Sequence, residues 1–252
     1  MYQLKVHQVP EGSRTAKGVH IANLLPMEKE EWVANALTVR EFSESSYFLF
    51  ATKKGVVKRS VASDYAHCRR SGMIALGLKE GDELIAVREV IESDHVVLAT
   101  SQGMAIRFAL SGVRPMGRIA AGVKGISLRS DDSVVACVVV RQDDETTKIM
   151  TISSLGYGKR TKVDLYRLQS RGGIGLINFK ASPKTGPVIG AMPVSDTDSL
   201  VLLTSTNKII RLGVEDIRSI GRATMGVRLV KLDEGATVAG FDKVEESGEE
   251  NI

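Results

Sequence analysis

Arg59, Arg107, Arg160 and Arg211 each stand four residues beyond a turn residue, namely Gly55, Gly103, Gly156 and Asn207. Those turn residues follow one another at intervals of 48, 53 and 51. Cations repeated at a fixed register suit a regularly spaced polyanion, because arginine and lysine neutralise phosphates and release their counterions. A second basic series lies in glycine-containing loops. Arg14-x-x-x-Gly18-Val19, Arg118-x-x-x-Gly122-Val123 and Arg222-x-x-x-Gly226-Val227 recur with their glycines 104 residues apart both times. The last two extend upstream as Arg114-x-x-Gly117 and Arg218-x-x-Gly221, while Arg70-Ser71-Gly72 and Arg171-Gly172-Gly173 occupy the intervening copies. Glycine lets backbone N–H groups approach an anion closely. The candidate nucleic-acid contacts are therefore Arg14, Lys17, Lys58, Arg59, Arg69, Arg70, Arg107, Arg114, Arg118, Lys124, Lys159, Arg160, Arg171, Arg218, Arg222 and Arg228. Any one of them, taken alone, reads equally well as a solvated surface base; the repeated register is what argues for a set.

Other reactive residues form no constellation. Tyr2, Tyr47, Tyr65, Tyr157 and Tyr166 have no convincing neighbouring base and acids, so packing is the expected role of each. His7, His20, His67 and His95 are scattered and show no metal-ligand spacing. Arg171-Gly172-Gly173 lacks the Lys-Ser/Thr ending of a phosphate loop. Asp131-Asp132 and Asp143-Asp144-Glu145 read as solvated turns, Trp32 as packing, and Cys68 and Cys137 as reduced packing residues of a cytoplasmic protein. No enzyme, metal or cofactor is expected from this chain.

The elements that hold the bases follow from the same repeat. Each unit reads as an apolar run, Thr or Ser, two residues, a turn residue and a second strand carrying a base. Glycine, and asparagine as its best substitute, accept the positive φ of a tight hairpin. Runs such as 83–90, 95–100, 134–141 and 200–204 are rich in Val, Ile, Leu and Thr and are bounded by Gly, Asp and Ser. Met1–Val6 alternates like a strand; 27–36 has room for a turn or two of helix, but the favoured reading is that it leads into a strand. Repeats of about 50 residues with four short strands apiece match propeller blades, which must stack to bury both faces. The reading is all-β: a propeller-like body over 1–243, with four complete units, a partial N-terminal one and an acidic, disordered tail over 244–252. Residues 233–252 hold seven acids against Lys243, which leaves 33 basic and 23 acidic residues in 1–232. A basic body with an acidic tail points to a polyanion partner. No stretch approaches 18 uninterrupted apolar residues, so no membrane span is expected.

The loops also carry a resemblance. Val9-Pro10-Glu11-Gly12-Ser13-Arg14-Thr15-Ala16-Lys17-Gly18 with Asn23-Leu24-Leu25-Pro26, and Ala51-Thr52-Lys53-Lys54-Gly55-Val56-Val57-Lys58, are similar to the second and third blades of the C-terminal domain of DNA gyrase A subunits. Val113-Arg114-Pro115-Met116-Gly117-Arg118, Gly156-Tyr157-Gly158-Lys159-Arg160-Thr161 and the segment 217–228 resemble the fourth, fifth and sixth. The resemblance covers about 1–240 and implies a β-pinwheel of about five to six four-stranded blades that wraps double-stranded DNA. It implies partners in a catalytic gyrase A domain and a gyrase B subunit, and a place in ATP-dependent negative supercoiling. It also implies a first blade upstream of Met1 that carries the family's box (Gln, a base, Arg-Gly-Gly, a base, Gly), so that this chain is a fragment beginning inside a strand. Gln169-Ser170-Arg171-Gly172-Gly173-Ile174-Gly175 resembles the box with both bases replaced. A topoisomerase IV paralogue and a propeller serving as a protein-interaction platform are the alternatives.

Overall fold

A computed structural model describes residues 1–244 apart from Arg14, Asp143 and Glu145. Its strands are β1 (Tyr47–Thr52), β2 (Val56–Val61), β3 (Leu84–Val90), β4 (His95–Thr100), β5 (Met104–Ala109), β6 (Val123–Lys124), β7 (Val134–Val140), β8 (Lys148–Ser153), β9 (Tyr157–Lys162), β10 (Leu176–Ile177), β11 (Val188–Val194), β12 (Ser199–Thr204), β13 (Ile209–Gly213), β14 (Val227–Arg228) and β15 (Val238–Val244). They build four antiparallel sheets ordered β3-β1-β2-β6, β10-β5-β4-β7, β11-β8-β9-β14 and β13-β12-β15.

Each sheet grows from one repeat of the sequence. The turn residues Gly55, Gly103, Gly156 and Asn207 all take positive φ, at 83°, 84°, 75° and 61°. The threonine three residues earlier closes the turn: Thr52, Thr100 and Thr204 accept through Oγ1 from the backbone N–H of Val56, Met104 and Lys208 at 3.0–3.1 Å. Ser153 donates instead to the Tyr157 carbonyl. After each of the first three hairpins comes a short 3-10 turn (Ala62–Tyr65, Leu110–Gly112, Val163–Leu165). The loop following β5 returns to pair as β6 with β2; the loops following β9 and β13 supply β10 to β5 and β14 to β9. Each of the first three blades is thus finished by its successor, a strand exchange that no single repeat displays.

The core is a series of layers between blades. Val96 and Leu98 of β4 pack with Leu49, Val57, Ile106 and Phe108, while Val97 and Ala99 pack on the opposite side with Val138, Ile149 and Tyr166. Both faces of the strand are buried, which is why its apolar run is continuous rather than alternating. Phe48, Phe50 and Tyr65 form a further layer covered by Val39, Phe42, Met73 and Leu76. β3, β7 and β11 pack against one another, which leaves β6, β10 and β14 on the opposite, outer edge of their sheets. On β13 no exchange strand is present among the described residues, and Ile209 is exposed where Val57 and Ala105 are buried.

Two local expectations fail. Residues 1–6 form no strand: Met1 exchanges backbone hydrogen bonds with Met73 (2.8 and 2.9 Å), and Val6–Gln8 is a 3-10 turn. Residues 27–36 form neither helix nor strand. Both segments lack a hairpin partner among the described residues, and a lone strand has nowhere to send its backbone groups. The tail boundary shifts slightly, since β15 runs through Val244, and residues 245–252 lie outside the described part.

Candidate nucleic-acid interface

The exchange loops place the bases. Each loop first crosses the second hairpin strand of the preceding blade, through parallel bridges of Arg59 with Pro115, Arg107 with Leu168 and Arg160 with Ser219. The carbonyls of those three arginines accept from the N–H groups of Met116, Gln169 and Ile220 at 2.7, 2.9 and 3.0 Å. The loop then turns through a glycine, which in the first and third loops is that of the Arg-x-x-x-Gly motif. At Gly122, Gly175 and Gly226 a Cβ would meet a carbonyl oxygen of the underlying strand at 2.5, 2.3 and 2.4 Å, and φ is +97°, +81° and +75°. These glycines serve close backbone packing and left-handed geometry.

The arginine row recognised by its register turns inward, and this corrects the sequence reading of Arg59, Arg107 and Arg160 as surface contacts. Arg59 is 4% exposed, pairs with Glu92 at 2.6 Å and lies 4.4 Å from the Tyr47 ring. Arg160 is 8% exposed and bonds Asp196 and the carbonyls of Ile217 and Glu215. Arg107 is half-buried, with its guanidinium on the Val163 and Tyr166 carbonyls and on His95 Nδ1. Burial, and next the Arg107 charge, push the His95 pKa down. Lys58 and Lys159 are fully buried as well. The reason is the stacking: a strand covered on both faces has no outward side, so a base there must find acceptors inside. Arg211, on the uncovered β13, is exposed.

The remaining candidates face outward or between loops. Lys17, Arg69, Arg70, Arg114, Arg118, Lys124, Arg218 and Arg228 are exposed; Arg14 lies outside the described residues. Arg171 and Arg222 reach back to the loop before their own. Arg171 bonds the Gly112 and Lys124 carbonyls, and Arg222 bonds the Ile177 carbonyl at 2.9 Å. Successive loops are also joined directly, by Gly172 N–H on the Gly125 carbonyl (2.6 Å) and Lys180 N–H on the Thr224 carbonyl (3.0 Å).

This geometry exposes a row that the sequence reading missed. Arg114 and Arg218 each stand immediately before a bridging residue, Pro115 or Ser219; the same place before Leu168 belongs to Arg167, which is exposed. Lys124 of β6 and Arg228 of β14 share a second outer register, which Ile177 fills on β10. The signal for Arg167 was its spacing of 53 residues from Arg114 and 51 from Arg218, which matches the turn intervals but lacks a flanking motif.

Tyr65 and Tyr166 are buried, and burial raises both pKa values. Among the described residues no group of three His, Cys, Asp or Glu is placed to hold a metal, and no helix is long and apolar enough to cross a membrane. Cys137 is buried, its thiol pushed up to about 12 by desolvation, while Cys68 is half-exposed and free. The box-like loop 169–175 is an ordinary exchange loop on β5, with Gln169 and Gly175 both spent on that strand.

A family described as DNA gyrase C-terminal domain, beta-propeller, matches residues 1–40, 46–90, 94–141, 147–195 and 198–245, one match for each repeat and one for the N-terminal segment. The chain belongs to this family. The A subunit of DNA gyrase from Lawsonia intracellularis is 67% identical over 245 residues, covering 97% of this chain and 30% of its own length. Its counterpart from Salmonella typhimurium is 40% identical over 246 residues, covering 98% of this chain and 28% of its own length. The chain therefore spans about 30% of the length of the curated relatives it matches. A crystal structure of the C-terminal domain of DNA topoisomerase IV superposes with a TM-score of 0.86 at 28% identity, covering 95% of this chain and 74% of that one. A DNA gyrase A C-terminal domain does so with a TM-score of 0.80 at 24% identity, covering 90% and 75%, and shares the fold.

Proposed function

We propose that this domain binds and wraps duplex DNA along the outer edge of its blades, as a non-catalytic part of a gyrase A-type subunit. The observation that carries the reading is the outward register of Arg114, Arg167 and Arg218, repeated from blade to blade and reinforced by Lys124 and Arg228. Smoothly bending a 20–30 bp site costs about 1–6 kcal/mol, so cations must act together along a curved edge. None of these groups forms a pocket for a base edge, so the binding is sequence-independent and electrostatic. In the parent enzyme, acting in the cytoplasm beside a catalytic gyrase A domain and a gyrase B subunit, the wrapped duplex would present a crossing for ATP-dependent strand passage.

Duplex affinity across a salt series, paired with the topoisomer distribution after a nicked circle is ligated in the presence of the domain, tests this. Salt-sensitive binding with a shifted distribution is expected. Binding without a shift would reduce the domain to a holder of DNA, and absence of duplex affinity at physiological salt would move the function to a protein-interaction platform.

A further inference from the structure

Blades alternate in one strand position. The third residue after the hairpin turn is Lys58 in the first sheet, Ile106 in the second, Lys159 in the third and Ile210 in the fourth. Lys58, Ile106 and Lys159 are each 0% exposed. An isoleucine therefore fills this site, and a buried ammonium is the costlier choice.

The lysine donors go to uncharged oxygens, mostly main-chain carbonyls. Lys159 Nζ donates to the Gly221 carbonyl at 2.8 Å, the Arg222 carbonyl and Thr224 Oγ1 at 3.2 Å, all within one exchange loop. Lys58 Nζ donates to the Arg118 carbonyl in the equivalent loop, to the Ala75 carbonyl at 2.7 Å, and to Tyr65 Oη at 3.4 Å. Phe50 and Phe179 rings lie 5.2 and 5.7 Å away. Among the described residues neither lysine has a hydrogen-bonded carboxylate; the charged neighbours there are Asp64 and Arg118 for Lys58 and Arg222 for Lys159. Where isoleucine stands, the loop is held differently: Tyr166 Oη donates to Asn178 Oδ1 at 2.5 Å, and Asn178 Nδ2 donates to Thr151 Oγ1 at 3.1 Å.

We propose that Lys58 and Lys159 are positioning residues, internal latches whose Nζ donors hold the main chain of the arginine–glycine loops in the shape that presents Arg114, Arg118, Arg218 and Arg222 to DNA. They touch no phosphate themselves. The proposal rests on the DNA-binding reading above, and part of its test does not.

Lys58→Ile and Lys159→Ile copy the residue that the second blade already buries at this register. Amides of 114–126 and 218–230 are expected to lose at least tenfold in hydrogen-exchange protection, while β1, β2, β8 and β9 keep theirs. Unchanged loop protection overturns the latch whether or not the protein binds DNA. On duplex DNA, Lys159→Ile is expected to reduce the salt slope by more than about 0.9, the most that one lost phosphate contact gives. In an Arg218→Ala/Arg222→Ala background it reduces the slope no further; an additive loss would make the lysine a direct contact and overturn the proposal. Should the isoleucine variants unfold, acylation of the wild-type protein decides. The latch requires Lys58 and Lys159 to be the slowest lysines to react, with or without DNA, whereas fast labelling that DNA suppresses would refute it. A wild-type protein without duplex affinity would defeat the DNA reading alone and leave the exchange result to judge the latch.

Discussion

Replacing Arg114, Arg167 and Arg218 together by alanine removes three exposed cations at one register, none of them part of the buried core. Each phosphate contact contributes about −0.9 to the slope of log affinity against log salt on duplex DNA, so the slope should fall by about 2.7. Over a fourfold change in salt, from about 50 to 200 mM, that difference amounts to about 40-fold in affinity. The inner row behaves oppositely. Arg160→Ala leaves Asp196 without its guanidinium partner, but that acid is 58% exposed and keeps Lys148, so the cost is mainly the buried donors to Ile217 and Glu215. Hydrogen bonds from a charged group are worth about 1.5–3 kcal/mol, and a domain of this size loses about 2–4 °C in Tm per kcal/mol. With two such bonds lost, Arg160→Ala should therefore melt about 6–24 °C lower with an unaltered salt slope. Fluorescence anisotropy of a labelled duplex over the salt series, with thermal denaturation of each variant, reads both quantities. The reasoning is refuted if the outer triple variant keeps its slope, or if Arg160→Ala loses slope without losing stability.

Three further outcomes follow from the same geometry. Gly226→Ala places a methyl 2.4 Å from the Gly158 carbonyl at a φ of +75°, so it should cost at least about 2 kcal/mol and detach β14 in hydrogen exchange; a wild-type melting curve would contradict the packing described. Burial lowers the Lys159 pKa to about 7 and the Lys58 pKa to about 8, against 10.5 ordinarily. Between those values and 10.5 the unfolded chain binds more protons than the folded one, so these lysines make stability rise with pH from about 7 upward. That rise should vanish in the Lys58→Ile/Lys159→Ile variant, and its persistence in Tm-versus-pH curves would assign it elsewhere. Truncation after Val244 removes Glu245, Glu246, Glu249 and Glu250 and should tighten duplex binding at low salt, where like-charged rivals for the basic edge count most; equal affinity would show that the tail does not compete.

The repeat was legible because each copy must solve the same local problem. A hairpin needs a residue tolerant of positive φ, so Gly55, Gly103, Gly156 and Asn207 announce themselves, and the threonine before three of these turns is there to cap it. Apolar runs with no alternation already require strands buried on both faces, hence stacked blades. The glycines of the arginine loops were equally visible, although they serve the close approach of one blade to the next.

The destination of the cations was decided by tertiary structure. Four residues past a turn, an arginine looks the same in sequence whether its strand faces water or a neighbouring blade. Stacking turns Arg59 and Arg160 onto Glu92 and Asp196, 33 and 36 residues away, pairings that no local pattern contains. Strand exchange then carries Arg114, Arg167 and Arg218 onto the outside of the preceding blade, so the exposed row is assembled from loops rather than hairpins. Sequence alone determined the four hairpin turns and the hairpin strands that they join, because these depend on neighbours within a short stretch of chain. Which bases meet solvent depended on the burial of both sheet faces and on β6, β10 and β14 crossing between blades, and that is settled only when the blades pack.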